Sequence, residues 1–389
     1  MNWRRRLLPI ETRPYQICAR CVMDTSDPQI TFDEKGTCVH CLRAENEWQA
    51  FRQPPEVLAR RVSARIDQIR ERNHAAAYDC VMGISGGVDS SFALIKAKEL
   101  GLRILAVHCD TGWNSEIAVS NIYNLVSRLN LDLETYVVDW PTMRRLQVAF
   151  FKASVPNCDI PQDHAIVAVN NLFAMRHGVK DFISGGNLCS EAILPGSWGH
   201  DARDLVHLKA IAHRYDCGPL KNYPIMSGFD SYVKYPYWVG VRNYRLLNDI
   251  GYKREVAKRI LIEHYGWRDY GGKHHESVFT KFFQAYYLPT KFGFDKRRAH
   301  LASMIVAGEI SREQALEELR LPLYQERDRR RDQNFFLDKL EVEEEEWQAI
   351  MQSLPLRHED FPTNTWWRSK LSRVKQAIEG RGYELRKSW

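Results

Sequence analysis

The sequence has no long hydrophobic run. In its 389 residues no apolar stretch approaches the roughly 20 residues that a membrane-spanning helix requires, so we expect no membrane span. Three arginines stand near the N-terminus, but the apolar stretch after them is too short for a signal peptide. Without an export signal, the nine cysteines indicate thiols or metal ligands in a reducing cytoplasm, not disulfides.

Internal repeats and low-complexity tracts are also absent, and neither charge sign dominates. The chain holds 55 Lys and Arg against 49 Asp and Glu, a formal net charge of +6, with 44% hydrophobic residues. These values are typical of a globular protein long enough for two or three domains. The small positive excess suits anionic metabolites or nucleic acid and does not distinguish between them.

The sequence lacks a Walker A phosphate-binding loop. That motif needs a glycine, four residues, and then Gly-Lys-Ser/Thr. The Gly272-Lys273 pair has Trp267 in place of the first glycine and His274 in place of the hydroxyl residue. Any phosphate site must therefore be built differently.

A different glycine-rich loop follows the first predicted strand. Residues 80–84 predict a buried strand, residues 88–100 predict a helix, and between them runs Ser85-Gly86-Gly87-Val88-Asp89-Ser90-Ser91. Two glycines allow close backbone approach and positive φ, so amide N–H groups at the helix start can bind phosphate oxygens. The loop resembles the PP-loop of the ATP pyrophosphatase superfamily, which implies cleavage of ATP between its α- and β-phosphates.

Further strands are predicted at residues 103–108, 133–138 and 181–184, separated by helices at 115–129 and 162–177. This alternation predicts an α/β fold: a parallel sheet with helices on both faces and ligands at the carboxyl ends of its strands. We therefore expect the residues that follow those strands to face the nucleotide: Asp110, Trp113, Gly185, Gly186, Asn187 and Glu191. Asp110 and the Gly185–Asn187 turn also have an ordinary structural explanation, as turn residues at strand ends.

Four of the nine cysteines lie in one 24-residue stretch, as the pairs Cys18/Cys21 and Cys38/Cys41. This is the spacing of a structural zinc site with four thiolates, and a redox pair or an iron–sulfur cluster is the alternative. A closed four-cysteine shell leaves no coordination position for catalysis, so we expect a structural role. We interpret His40 as a bystander between the last two ligands.

Two later segments also stand out. Residues 218–244 are rich in Pro, Tyr and Gly, show no periodicity and predict an irregular segment. Residues 266–277 place Gly271-Gly272-Lys273-His274-His275 ahead of an aromatic helix. Lys273 is a candidate to place a positive charge against phosphate, and His274, Glu191 and Asp89 are candidate catalytic groups. The alternative is that these aromatics pack in the interior and the charges are solvated.

The chain divides into four predicted parts. They are a zinc-ribbon-like module at 1–53, a linking helix at 54–75, a PP-loop ATP-binding domain at 76–265 and a mostly helical C-terminal region at 266–389.

Residues 15–26, 78–91 and 266–277, in this order, resemble the N-acetyl-sugar amidotransferases (WbpG-like and PseA-like) of bacterial surface-glycan biosynthesis, including the lipopolysaccharide O-antigen. The resemblance implies that ATP, with Mg²⁺, adenylylates the acetamido oxygen of a nucleotide sugar or nonulosonic acid. Ammonia then displaces AMP and leaves an acetamidino group. Carried over by position, Ser85, Gly86, Gly87, Ser90 and Ser91 hold the pyrophosphate, Asp89 supports the loop or the metal, and Lys273 stabilises the transition-state charge.

Ammonia needs a source. The sequence shows no nucleophile elbow built on cysteine, and residue 2 is Asn2, so no N-terminal cysteine nucleophile is present. The family resemblance implies a partner glutaminase similar to that of the histidine pathway, together with its cyclase partner (HisH-like and HisF-like).

The main alternative is a PP-loop enzyme of transfer-RNA thiolation, which would use the net positive charge for phosphate contacts. Such enzymes typically need catalytic or cluster-binding cysteines in the PP-loop domain. Here the remaining cysteines are all isolated in sequence: Cys80, Cys109, Cys158, Cys189 and Cys217. A non-catalytic scaffold is a second alternative, which the intact phosphate loop disfavours. Nucleic acid is therefore not an expected partner.

Overall fold

The computed structural model describes residues 14–271 and 277–370. A five-stranded, wholly parallel sheet lies at its centre, with the strand order β3-β2-β1-β4-β5. The strands are β1 (Cys80–Gly83), β2 (Ile104–Asp110), β3 (Asp132–Val137), β4 (Asp181–Ile183) and β5 (Arg242–Tyr244). The predicted α/β fold is confirmed.

Helices cover both faces of the sheet and continue beyond it. Those before β4 are α1 (Val39–Trp48), α2 (Pro55–Arg72), α3 (Val88–Glu99), α4 (Glu116–Leu129), α5 (Trp140–Lys152) and α6 (Ile160–Arg176). Those after it are α7 (Leu188–Glu191), α8 (Leu205–Arg214), α9 (Arg254–Tyr265), α10 (Val278–Phe282), α11 (Leu288–Phe292), α12 (Lys296–Ala307), α13 (Arg312–Arg320), α14 (Glu326–Leu340) and α15 (Glu344–Gln352). The helical C-terminal region is thus confirmed. No described helix is both long and apolar enough to cross a bilayer.

The central strand is buried on both sides. Val81 packs with Val169 and Phe173 of α6, whereas Cys80 and Met82 belong to the apolar cluster on the opposite face, which includes residues of α2 and α3. Since successive side chains of a strand point to opposite faces, the sequence of a strand that is covered on both sides is a continuous apolar run. That is the pattern from which the sequence predicts β1.

The chain adds strands first on one side of β1 and then on the other, so the strand order changes direction at the centre of the sheet. β2 and β3 lie on one side of β1, and β4 and β5 lie on the other, with Val81 paired to Phe182. In open parallel sheets the crevice at such a reversal, beyond the carboxyl ends of the strands, is where ligands bind. The glycine-rich loop follows β1 and the Gly185–Asn187 turn follows β4, so both predicted segments meet at this crevice.

Part of the segment predicted to be irregular is ordered. Residues Asp230–Val239 form a wide π-helical segment, followed by β5. β5 pairs Arg242 with Asp181 and Tyr244 with Ile183. A three-residue strand is too short to show an alternating pattern, and its pairing with β4 is what orders it.

The N-terminal module and the C-terminal helices share one apolar cluster with α5 and α6. Arginines of the C-terminal helices also hold the module: Arg312 donates to the carbonyls of Cys21 at 3.0 Å and Cys18 at 3.1 Å, and Arg298 donates to Val22 O at 2.7 Å. The division into four parts stays a prediction, and this packing continues across the three boundaries between them.

Candidate functional site

A cleft of ≈ 190 Å³ lies at the carboxyl ends of β1 and β4. Its lining residues come from the loop after β1, the turn after β4, and two segments much later in the chain. They are Ser85, Gly87, Val88, Asp89, Ser90, Gly185, Gly186, Glu191, Arg254 and Tyr270. The structure therefore brings together two predicted glycine-rich segments that are about a hundred residues apart in sequence.

The glycine-rich loop needs glycine at its first turn. Gly86 has φ +78°, and a Cβ there would lie 2.5 Å from the carbonyl oxygen of Ala118. Within the loop, Gly87 N–H donates to Ser85 Oγ at 3.3 Å, and Ser90 Oγ donates to Gly87 O at 3.2 Å. The two serine hydroxyls lie 3.4 Å apart, so they form one polar rim of the cleft.

The first residues of α3, Val88 to Ser90, line the cleft. No side chain caps this helix end. The first amide N–H groups of a helix have no acceptor within the helix and carry partial positive charge, which makes the end suitable for an anion. Gly185 lies against it so closely that a Cβ there would be 2.6 Å from Ser90 N.

Asp89 lies in the first turn of α3 and is held by two hydroxyls. Tyr252 O–H donates to its Oδ1, and Ser190 Oγ donates to its Oδ2 at 3.5 Å. Burial and the charge of Asp89 raise the pKa of Tyr252, so the phenol stays protonated as a donor. Carboxylate oxygens are the ligands that Mg²⁺ prefers, and Asp89 and Glu191 both line the cleft, so these residues fit a magnesium ion.

Three residues at the cleft or behind it are not predicted by the sequence. Arg254, the first residue of α9, is the cationic side chain among those that line the cleft, and Tyr270 lines it as well. Trp267 is buried and donates its indole N–H to Gly86 O at 2.8 Å, which fixes the loop from behind. Nothing in the sequence distinguishes Arg254 from the chain's other arginines, because no motif surrounds it.

Lys273 and His274 lie outside the described residues, and their predicted roles stay predictions. The chain on either side of them is described. Tyr270 lines the cleft, and Ser277 forms an antiparallel bridge with Asn114, just beyond β2.

Trp113 does not face the cleft, and its prediction as a nucleotide contact is wrong. The side chain is 2% exposed, donates its indole N–H to Gln147 Oε1 at 2.9 Å and stacks on Phe336 at 5.5 Å. An aromatic residue after a strand can fill the core as well as bind a ligand, and here the C-terminal helices surround the ring. Asp110 acts as a turn residue: its Oδ1 accepts from Gly112 N at 2.8 Å.

Two further predicted contacts shape the site from behind. Asn187 is buried, caps α7 by accepting from Ser190 N at 2.9 Å, and donates to Gly185 O at 3.1 Å. Ser91 is buried and makes the first backbone hydrogen bond of α3, to Gly87 O at 3.0 Å. Neither lines the cleft, so both position the loops that do.

The four cysteines of the N-terminal module form one buried cluster. Their sulfur atoms all lie within 4.8 Å of one another, with Cys18 and Cys41 at 3.9 Å and Cys21 and Cys38 at 3.8 Å. A disulfide needs an S–S distance of about 2.05 Å, so these sulfur atoms are too far apart to be bonded in pairs. Zinc–sulfur bonds of about 2.3 Å at tetrahedral angles place sulfurs about 3.8 Å apart, so the arrangement fits zinc.

Backbone amides surround these sulfurs. Cys38 N–H points to Cys18 Sγ at 3.2 Å, and Cys41 N–H points to Cys38 Sγ at 3.4 Å. Such donors stabilise thiolate charge. His40 instead contacts Asp27 Oδ2 through Nε2 at 2.7 Å, in line with its interpretation as a bystander.

Three of the isolated cysteines, Cys109, Cys158 and Cys217, lie in surroundings that disfavour the thiolate. Burial raises the pKa of Cys109 to about 12 and that of Cys217 to about 11, and the pKa of Cys158 also lies well above its ordinary value. Since the thiolate is the reactive form, these thiols are poor nucleophiles at neutral pH.

Comparison with known proteins gives one family match. Residues 276–373 match the family model described as LPS biosynthesis protein WbpG-like, C-terminal domain. Among solved structures, the chain is similar to NMN synthetase from Francisella tularensis, with 15% sequence identity and a TM-score of 0.29. That alignment covers 56% of this chain and 97% of the other, and it carries no argument about function. The comparison with curated proteins finds no match.

Proposed function

The chain belongs to the WbpG-like family by its C-terminal domain, and from this premise we propose that it is an ATP-dependent amidotransferase. It converts the acetamido group of a sugar precursor for a bacterial surface glycan into an acetamidino group. One observation carries the proposal. The uncapped start of α3, the two glycine-rich turns and Arg254 line one cleft at the point where the strand order reverses.

In the first step, the cleft binds ATP and stabilises the departing pyrophosphate. Amide groups at the start of α3, with the Ser85 and Ser90 hydroxyls, hold phosphate oxygens. The Arg254 guanidinium faces the same space and offsets the negative charge that develops as the bond to the α-phosphate breaks. Asp89 and Glu191 would hold Mg²⁺, which supplies further charge neutralisation when bound.

In the second step, ammonia replaces the activated oxygen. An amide oxygen is a poor leaving group, and adenylylation converts it into a good one. The ammonia comes from a partner glutaminase of the HisH-like kind with a HisF-like cyclase paralogue, in the cytoplasm. Two observations support a separate partner: the sequence shows no cysteine nucleophile elbow, and the thiols of Cys109, Cys158 and Cys217 are poor nucleophiles because burial raises their pKa values.

Zinc in the four-cysteine cluster has a structural role in this proposal. The cluster's carbonyls accept from Arg312 of α13, so zinc binding would stabilise the contact between the N-terminal module and the C-terminal helices. Its sulfur shell is closed, and the cluster contributes no residue to the lining of the cleft.

Transfer-RNA thiolation is the weaker explanation of the same cleft. It needs a reactive thiol or a cluster-binding pair near the nucleotide. The raised pKa values of Cys109, Cys158 and Cys217 oppose the first, and their isolation in the sequence opposes the second.

The test is a reaction of the full chain with ATP, Mg²⁺, ammonium and an acetamido sugar. UDP-diacetamido-uronic acids and acetamido nonulosonic acids are the substrates to try. Mass spectrometry should show an oxygen atom of the acetamido group replaced by NH, with AMP and pyrophosphate formed in equal amounts. ADP in place of AMP would overturn the mechanism. If the chain alone used glutamine as efficiently as ammonium, the proposal of a separate partner glutaminase would fail.

A further inference from the structure

A second polar region borders the ATP cleft, at the carboxyl end of β5. β4 and β5 are parallel, and Ser184 N–H donates to the carbonyl oxygen of Tyr244 at 3.1 Å, so the two strands end side by side. Arg245 is the residue directly after β5 and therefore lies opposite Ser184. The turn that begins at Gly185 leaves from the same place and forms part of the cleft wall. Strand pairing thus fixes Arg245 next to that wall.

Three polar atoms surround the open side of Gly186, which lines the cleft. A Cβ placed on Gly186 would lie 3.6 Å from Arg245 Nε, 3.6 Å from Glu191 Oε2 and 3.7 Å from Ser184 Oγ. Glu191 lines the cleft as well. Because glycine has no side chain, a ligand can approach the backbone here and meet a guanidinium, a carboxylate and a hydroxyl together.

The backbone that carries Arg245 is anchored to the cleft wall. Asn248 N–H donates to Arg245 O at 3.1 Å, in the short 3₁₀ helix Leu246–Asp249, whose side chains are buried. Asn248 Oδ1 accepts from Leu188 N at 2.8 Å, which joins this helix to the start of α7. Glu191 is the last residue of α7, so the guanidinium and the carboxylate are held on connected elements.

The Ser184 hydroxyl gives a further indication of a ligand. Its oxygen is buried and has no hydrogen-bond partner among residues 14–271 and 277–370. A buried hydroxyl without a partner is unfavourable, and such groups in native proteins are usually satisfied by water or by a ligand. Since this hydroxyl borders the open side of Gly186, a ligand bound there is well placed to supply the partner.

Arg245 and Arg254 approach the cleft from different sides. Arg254 begins α9, which packs against α3, so this arginine lies with the phosphate-binding helix start. Arg245 follows β5, and neighbouring strands lie about 4.8 Å apart, so its backbone is about 10 Å from the end of β1. β4 and the turn after it lie between the two. Arg245 is therefore placed to contact a second substrate, bound beside ATP.

We propose that Arg245 binds the carboxylate of a sugar-acid acceptor beside the ATP cleft. This inference rests on the proposed function and names the class of its acceptor. A guanidinium and a carboxylate can form two parallel N–H···O bonds, which supply both affinity and orientation. The Glu191 carboxylate and the Ser184 hydroxyl suit hydroxyl groups of the same sugar, whereas a polyphosphate offers only acceptors.

The experiment separates acceptor binding from ATP binding in the full chain. The acid acceptor is a UDP-diacetamido-uronic acid or an acetamido nonulosonic acid, whichever the wild type converts. The neutral acceptor is the same sugar with a hydroxymethyl group in place of the carboxylate. AMP formation with ammonium gives KM for each acceptor, or the inhibition constant for one that is not converted. Calorimetric titration with a non-hydrolysable ATP analogue gives the nucleotide affinity.

The variants are Arg245→Gln and Arg245→Lys. Arg242→Gln is the matched control, because Arg242 is an exposed residue at the amino end of the same strand, where it donates to Pro236 O at 2.9 Å. Arg245→Gln should raise KM for the acid acceptor about 10- to 100-fold, through loss of the charged hydrogen bonds. For the neutral acceptor, KM should stay within about threefold of wild type, because that acceptor has no carboxylate for the guanidinium to bind.

Nucleotide affinity of Arg245→Gln should stay within about twofold of wild type, which also shows that the variant folds. Arg245→Lys should keep part of the preference for the acid acceptor, and Arg242→Gln should match the wild type. An unchanged KM for the acid acceptor in Arg245→Gln would overturn the inference, as would an equal rise for both acceptors or an equal loss of nucleotide affinity. Absence of AMP and amidine in the wild type with every acceptor would instead reject the proposed function.

Discussion

Replacing Gly185 by alanine tests whether the two glycine-rich turns form one nucleotide site. A Cβ at position 185 would lie 2.6 Å from Ser90 N and 2.8 Å from the carbonyl carbon of Asp89. Both are backbone atoms at the start of α3, so no side-chain rotation relieves the overlap. The turn after β4 or the helix start must move.

Overlap of this kind typically costs about 1–3 kcal/mol of stability. The displaced amide groups are those that would hold phosphate, and losing one hydrogen bond to a charged group costs about 1.5–3 kcal/mol. Since each 1.4 kcal/mol is about tenfold in affinity, Gly185→Ala should bind nucleotide about 10- to 100-fold more weakly. Calorimetric titration with a non-hydrolysable ATP analogue measures this directly.

Gly186→Ala is the matched control next to it. Its Cβ would meet no atom closer than 3.6 Å, where Arg245 and Glu191 are the nearest side chains. We expect its nucleotide affinity within a few-fold of wild type and no loss of thermal stability. Wild-type binding in Gly185→Ala, or equal losses in the two variants, would refute the placement of this turn against the phosphate loop.

Three more outcomes follow from the structure. Cys38→Ser should release zinc, measured by elemental analysis, and lower the melting temperature, whereas retained stoichiometric zinc would contradict the four-sulfur site. Arg254→Gln should lower the rate of AMP formation about 100-fold with a smaller change in KM, and an unchanged rate would remove it from the pyrophosphate step. Burial and the neighbouring His200 lower the pKa of His207 to about 3, below its unfolded value of about 6.5, so its contribution to stability is present above pH 6.5 and lost as pH falls towards 3. In urea titrations, His207→Asn should reduce the pH slope of unfolding free energy below pH 6 by up to about 1.4 kcal/mol per unit, and an unchanged slope would count against this.

Local pattern accounts for much of the sheet. β1 and β2 appear in the sequence as apolar runs followed by turn residues, whereas the more polar β3 and β4 are indicated by the alternation of strands with helices. α4 begins after Ser115, whose side chain accepts from Ala118 N at 3.2 Å. These signals lie within a few residues of the element that they define. β5 carries no such signal, because it is three residues long and is ordered by its pairing with β4.

The spacing of glycine, serine and cysteine residues is enough to locate the glycine-rich loop and the four-cysteine cluster, since each lies within one short segment. The surroundings of these two segments depend on contacts that form when the chain folds. Arg254 and Trp267 lie at the loop although they are more than 160 residues away in sequence. Trp113 is buried in the core, although its position after a strand also suited contact with a ligand. Contacts between distant segments depend on the packing of α7, α9 and α12 around the sheet, and no local pattern records that packing.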